Sequence, residues 1–226
     1  MTRPLRTIKS FVLRQSKITP GQQQALNQLM PKFGISYQEQ LLELSQVFGR
    51  NSPKIVEIGF GMGHATWQMA KNNPGNDYLG IEVHSPGVGS LLMLAKEHAI
   101  PNLRIIHHDA HQVIQDMLVD NTVTGFNLYF PDPWPKKRHH KRRIIQVEFI
   151  ELLCTKLKSN GYIHLATDWE EYAIWMLNVL AHNSKLVNQT LNPDFSSLKA
   201  QRPQTKFEER GQNLGHPIWD LIFNKV

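Results

Sequence analysis

Residues 127–143 read NLYFPDPWPKKRHHKRR, and the rest of the chain is organised around them. The first residues are apolar and aromatic, which predicts a buried strand. Pro131, Pro133 and Pro135 then rule out continuation as strand or helix, because each removes a backbone donor and fixes φ. Among those prolines stand one carboxylate, Asp132, and one large aromatic, Trp134. Six Lys/Arg and two His follow within the eight residues Lys136 to Arg143. A strand therefore ends, an acid and an indole are held stiffly at its carboxyl end, and a cationic run comes next. In open α/β sheets that edge is where ligands bind. The order predicts a reaction centre beside a surface for a polyanion.

Composition agrees with a local rather than a global basic character. The 226-residue chain has a formal charge of +6, and the run Lys136 to Arg143 carries six positive side chains, so the remainder sums to zero. Such a patch speaks about partners, although a basic tract is also what a plain solvated face looks like. The length fits one α/β domain with a terminal extension. The single cysteine, Cys154, excludes an internal disulfide and a Cys-based metal site, and sits in an apolar helical pattern where a small buried hydrophobe is expected. Cysteine usage predicts a reducing cytoplasm. No apolar run reaches membrane-span length, and no apolar segment follows the basic N-terminus as a secretory signal requires.

Outward from the organising stretch, the chain alternates strand and helix. Short apolar strands are predicted at 54–58, 77–83, 103–107, 126–130 and 162–166. Helices are predicted at 65–71, 88–98, 111–118, 144–157 and 169–182, the fourth closed by Asn160-Gly161. Two final strands are predicted near 185–191 and 217–223, and a closing antiparallel pair is a common variant of such a sheet. This predicts an α/β fold with a doubly wound, mostly parallel seven-stranded sheet. Residues 1–35 are expected to form a basic extension, with Arg3, Arg6, Lys9, Arg14 and Lys17 and no acid before a helix at 21–33 ended by Pro31. Residues 36–226 are expected to form the domain.

The first strand runs into Glu57-Ile58-Gly59-Phe60-Gly61-Met62-Gly63. Glycines at alternate positions permit a sharp turn and close approach to a ligand. The spacing GxGxG does not match the dinucleotide fingerprint, and no triphosphate loop is present. A carboxylate before the first glycine suits a cationic ligand better than a pyrophosphate. Glu82 closes the second strand about 20 residues on, where an acid accepts from ribose hydroxyls. Asp109 follows the third strand, within reach of an adenine edge. Together these acids describe a site for a positively charged nucleoside, namely S-adenosylmethionine. Each acid alone would also serve as a helix cap.

The motifs SFVLRQ, TPGQ, VEIGFGMG, GIEVHSPGVG, FPDPWPKKRHHKRR, ATDWEEYA and TKFEERG cover nearly the whole chain. In them the chain resembles the bacterial tRNA (guanine-N7)-methyltransferase family. The resemblance implies a Rossmann-like class I methyltransferase fold, S-adenosyl-L-methionine as cofactor and tRNA as partner. It also implies methylation of guanine N7 in the variable loop, usually position 46. By the same resemblance Glu57, Gly59, Gly61, Gly63, Glu82, Asp109 and Asp132 bind the cofactor, and Asp132 is catalytic. Lys136, Asp168, Thr205, Lys206, Phe207 and Glu208 bind substrate. Arg138, His139, His140, Lys141, Arg142 and Arg143 contact RNA.

The residues themselves leave several choices open. Guanine N7 has a lone pair and no proton to lose, so Asp132 is better suited to offer negative potential than to act as a base. Trp134 either stacks on the base or packs under the loop. Asp168 accepts from the guanine Watson–Crick edge, caps the following helix, or does both. Thr205 and Glu208 are expected to complete a guanine clamp. The clusters His107, His108, His111 and His139, His140 are not expected to hold a metal, since the second lies in a cationic run. Methylation of another RNA atom, and a non-catalytic RNA-binding module, are the competing readings. The oligomeric state is left open.

Overall fold

The computed structural model describes residues 9–11, 17–189, 202–205, 208–209, 211 and 215–226. Seven strands form one sheet in the order β3-β2-β1-β4-β5-β7-β6. They are β1 (Lys54–Ile58), β2 (Asp77–Glu82), β3 (Leu103–His107), β4 (Val123–Tyr129), β5 (Leu157–Thr167), β6 (Leu186–Asn188) and β7 (Trp219–Lys225). All neighbours from β3 to β5 pair in parallel, and β7 runs antiparallel to both β5 and β6. The helices are α1 (Pro20–Phe33), α2 (Leu44–Phe48), α3 (His64–Asn72), α4 (Ser85–Glu97), α5 (Ala110–Met117), α6 (Val147–Lys156) and α7 (Glu170–Ala181).

β1 and β2 are buried at every position, as central strands covered on both faces must be. Alternate side chains feed two separate cores. Ile55, Tyr78, Leu103 and Ile105 pack with Val88, Leu91 and Met69 on the face of α1, α3 and α4. Val56, Leu79, Phe126 and Leu128 pack with Val113, Ile150 and Met176 on the face of α5, α6 and α7. Cys154 is buried in this second core, as its apolar pattern predicts. The charged ends of β1 and β2 are tied together at the amino edge, where Asp77 meets Arg50, Lys54 and Ser52. Burial alone would raise the Asp77 pKa, but these donors outweigh it and hold the carboxyl below its usual range.

Two expectations are revised. The helix predicted to 157 ends at Lys156, and Asn160-Gly161 does not cap it; both lie inside β5. Asn160 takes φ +61° where the pairing of β4 with β5 shifts register between Val123 and Gly125, so the turn signal marks a bulge. Pro31 does not end α1 but lies in its last turn, followed by Lys32 and Phe33. Within the extension, α1 packs against α4. A reciprocal Thr19–Gln22 capping box starts it, Ala25 and Phe33 are buried, and Gly89 of α4 fits directly against Gln22.

Candidate active site

The carboxyl ends of β1, β2 and β4 open into one cavity of about 490 Å³. That size suits a nucleoside-sized ligand. Its lining includes Glu57 and the glycine turn, Glu82 to His84, His108 to Ala110, Tyr129 to Asp132, and Thr205. Gly59, Gly61 and Gly63 have φ of +72°, +56° and +77°. Only glycine adopts this region without strain. At Gly63 an added Cβ would also stand 2.7 Å from Leu91, whereas at Gly59 it would meet open space. The first glycine thus faces the cavity and the third faces the core.

The acids fall into distinct states. Glu57 is buried at the floor, and its Oε2 lacks a hydrogen-bond partner among the described residues. Burial pushes its pKa up to about 7; the neighbouring Thr66 hydroxyl works against this rise, and the charge of Glu82 adds a smaller push. Glu82 instead accepts from Gly61 N at 2.9 Å, Val83 N at 2.7 Å and His84 N at 3.0 Å. It therefore holds the glycine turn closed onto β2 and keeps lone-pair capacity for a further donor. Asp109 caps α5, accepting from His111 N at 3.0 Å, while it borders the cavity. The cap leaves it on the cavity wall. His108, in the same wall, stacks on Tyr37 at 3.8 Å.

Asp132 is exposed at the cavity mouth. Phe130 and Trp134 bracket it with φ of +53° and +45°. Bulky residues occupy this region only when the surroundings fix them, at a strain of about 1–3 kcal/mol each. The fixing contacts are visible. Phe130 N donates to Ala166 O at 2.8 Å, and the Arg142 guanidinium lies 4.3 Å from the Trp134 ring centre. Trp134 Nε1 also donates to Ser10 O at 3.2 Å, and Arg142 donates to Phe11 O. Trp134 is thus packed beneath its loop. Ser10 and Phe11 line the cavity, so the described part of the N-terminal arm lies over it. Sequence gave no sign of this placement beyond the phenylalanine among basic residues.

The basic run divides. Residues Lys137–Arg142 form a short 3-10 helix. Lys136, Lys137, Arg138 and Lys141 are exposed, and His139 and His140 are half-buried beside Trp134 and Trp175. Desolvation and the flanking cations, Arg138 foremost, hold the His139 pKa below its usual range. Arg143 does not match the expected RNA-facing role, because it is buried to 1% exposure. It donates to Pro133 O at 2.9 Å and Glu171 at 3.0 Å, with its guanidinium against Tyr172 and Trp175. It braces the Asp132 loop from below.

Thr205 lines the cavity, whereas Asp168 is not among its lining residues. Asp168 follows β5 and is half-buried; α7 takes its N-cap at Trp169, without a side-chain capping bond. The capping reading of Asp168 therefore fails. Gly211 approaches it so closely that an added Cβ would lie 3.3 Å from its carboxylate. Thr205 lines the cavity, but Glu208 is buried and receives the Arg202 guanidinium, which differs from an open clamp. Lys206 and Phe207 lie outside the described residues. Arg202, His164 and Asp220, which form a buried network with Glu208, were not picked out by sequence reasoning.

A doubly wound sheet with an antiparallel β7, a glycine turn after β1 and acids at successive strand ends defines a Rossmann-like methyltransferase. The 16S rRNA methyltransferase KamB shares the fold with a TM-score of 0.56 at 11% identity, covering 81% of this chain and 93% of that one. An rRNA methylase from Streptococcus thermophilus shares it with a TM-score of 0.51 at 14% identity, covering 77% and 87%. Residues 51–221 match a family model described as a putative methyltransferase. The tRNA (guanine-N(7)-)-methyltransferase of Chromobacterium violaceum is 53% identical over 97% of this chain and 96% of its own length. That of Methylobacillus flagellatus is 51% identical over 97% and 92%. The chain belongs to the tRNA (guanine-N7)-methyltransferase family.

Proposed function

We propose that this chain transfers a methyl group from S-adenosyl-L-methionine to N7 of a guanine in tRNA, at position 46 of the variable loop. The observation that carries the reading is that Asp132 borders the same cavity as Glu57, the glycine turn, Glu82 and Asp109. The unpartnered buried oxygen of Glu57 fits a cationic ligand, and the open space at Gly59 fits close approach of that ligand to the backbone. Glu57, Glu82 and Asp109 would hold the cofactor, which supplies an electrophilic methyl group when bound.

The remaining work is positioning and electrostatics. N7 already carries its lone pair, so no residue has to remove a proton. The protein must hold N7 about 3–3.5 Å from the methyl carbon and in line with the breaking bond. As the methyl group moves, the purine takes on positive charge. Asp132, fixed by its proline-rich loop, offers negative potential there without reorganisation. Asp168 suits the guanine Watson–Crick edge, with Thr205 completing the wall. Lys136, Lys137, Arg138 and Lys141 supply exposed cations for phosphates. We place tRNA, rather than a membrane, as the partner of this surface. Among the described residues no helix is long and apolar enough to cross a membrane.

The test is methyl transfer from labelled S-adenosylmethionine to unmodified tRNA, with the modified atom mapped. Wild type is expected to label guanine N7 in the variable loop. Asp132→Asn keeps the shape and removes the charge, and is expected to lower kcat about 10²–10³-fold while tRNA still binds. Label at another atom would overturn the substrate, and an unchanged kcat would overturn the role of Asp132.

A further inference from the structure

Arg202 lies in no motif that defines the site, yet it is buried to 6% exposure. Its Nε and Nη2 donate to the two oxygens of Asp220 on β7, at 2.7 and 3.0 Å. Its Nη1 donates to Glu208. Its guanidinium centre lies 5.3 Å from the Tyr129 ring and 5.5 Å from the Phe130 ring. Asp220 is held in turn by His164 Nε2 on β5 at 2.7 Å, and His164 Nδ1 stands 3.3 Å from the Tyr129 hydroxyl. One planar cation therefore joins the end of β4, the β5–β7 pair and Glu208.

Each connection leads to a wall of the site. Tyr129 and Phe130 are the last residues before the Asp132 loop, and Phe130 is one of its two strained brackets. Glu208 N donates to Thr205 Oγ1 at 3.0 Å, which fixes the threonine that lines the cavity. Beyond it, Gly211 abuts Asp168. The Asp132 loop and Glu208 are far apart in sequence, and Arg202 lies over Phe130 at the start of the one and donates to the other. A rigid fork with a stackable plane is suited to this, and a lysine ammonium is not.

Resting on the functional reading above, we propose that Arg202 is a positioning residue for methyl transfer. It sets Thr205 and Glu208 against the Asp132 loop, so that guanine is held in line, and it touches neither substrate nor cofactor. His164 and Asp220 act through it by fixing the plane of its guanidinium. Glu208 acts as its anchor beside Thr205.

Arg202→Lys tests this, because it keeps the charge and loses the fork and the stacking. Single-turnover methyl transfer to tRNA is measured per S-adenosylmethionine-binding site, with thermal melting and both binding constants alongside. The rate is expected to fall about tenfold to a hundredfold, the effect of a small misplacement, with cofactor and tRNA affinities near wild type. A rate per binding site within twofold of wild type would overturn the proposal, even if melting falls, since that is a purely structural role. So would an unchanged kcat with only a raised KM for tRNA. If Arg202→Lys does not fold, Glu208→Gln is read in the same way, because it weakens the anchor while leaving the Asp220 pair intact. Wild type is the control for the functional reading itself. If it binds cofactor but labels no tRNA, that reading falls. If it labels tRNA and Arg202→Lys does so equally well, only the positioning role falls.

Discussion

At the scale of single residues, Glu57 is a buried acid on the cavity wall. Burial raises its pKa from about 4.5 to about 7, so near neutral pH the site is poised between a neutral and an anionic floor. A cationic ligand favours the anion. Cofactor affinity is therefore expected to drop about tenfold between pH 8 and pH 6 as Glu57 takes up its proton, with proton release on binding near pH 7. Isothermal titration in buffers of different ionisation enthalpy measures both. Glu57→Gln is expected to weaken binding at pH 8 and to flatten the profile. The stability effect has the opposite sense. Between about pH 4.5 and 7 the folded chain keeps a proton that the unfolded chain has lost, so stability falls as pH rises through that window. The full shift corresponds to at most about 3 kcal/mol. In denaturant titrations at pH 8 without cofactor, Glu57→Gln is expected to be more stable than wild type, and less so at pH 5.

At the scale of elements, the glycine turn divides its labour between two neighbours. Gly59 and Gly63 both take φ above +70°, so alanine at either incurs about 1–2 kcal/mol of backbone strain. Only Gly63 adds a clash, against the Leu91 side chain on α4. Gly63→Ala is thus expected to lower the unfolding free energy by about 2–4 kcal/mol through strain and overpacking together. Gly59→Ala is expected to lose less stability but more cofactor affinity, because its methyl would project into open space at the ligand's approach. Urea unfolding and equilibrium binding on both variants separate the two effects; equal losses in both assays would refute the division. The same turn shows why so much of the fold was legible. β1 to β4 are buried runs closed by glycine, proline or acid, and these local signals predict the parallel sheet and the cavity edge. Asn160-Gly161 misled because a helix stop and a strand bulge use the same left-handed residue, and only the pairing of β4 with β5 distinguishes them. The Arg202 network was illegible for a related reason. His164 and Asp220 meet across antiparallel strands 56 positions apart, and no periodicity announces such a pair.

At the scale of the whole molecule, the excess positive charge is concentrated beside the cavity mouth, which makes tRNA binding a matter of ionic strength. Not every cation in the run is equivalent. Lys136, Lys137, Arg138 and Lys141 are exposed, whereas Arg143 is buried in the brace beneath Pro133. If the four exposed cations each neutralise one phosphate, log Kobs is expected to fall against log[salt] with a slope of about −3 to −4. Affinity then drops roughly a hundredfold between 50 and 200 mM salt. Replacing Lys141 by Gln is expected to reduce the slope by about one and to leave the melting temperature unchanged. Arg143→Gln is expected to behave in the reverse way. Its loss leaves Glu171 without a partner it now holds at 3.0 Å and frees the Pro133 carbonyl, so stability falls by about 1–3 kcal/mol while the salt slope stays near that of wild type. Filter binding across a salt series, run beside thermal melts of the same preparations, decides the assignment. A shallower slope for Arg143→Gln at unchanged melting temperature would return that residue to the RNA-facing surface. A slope near zero for wild type would remove electrostatics as the source of tRNA affinity altogether.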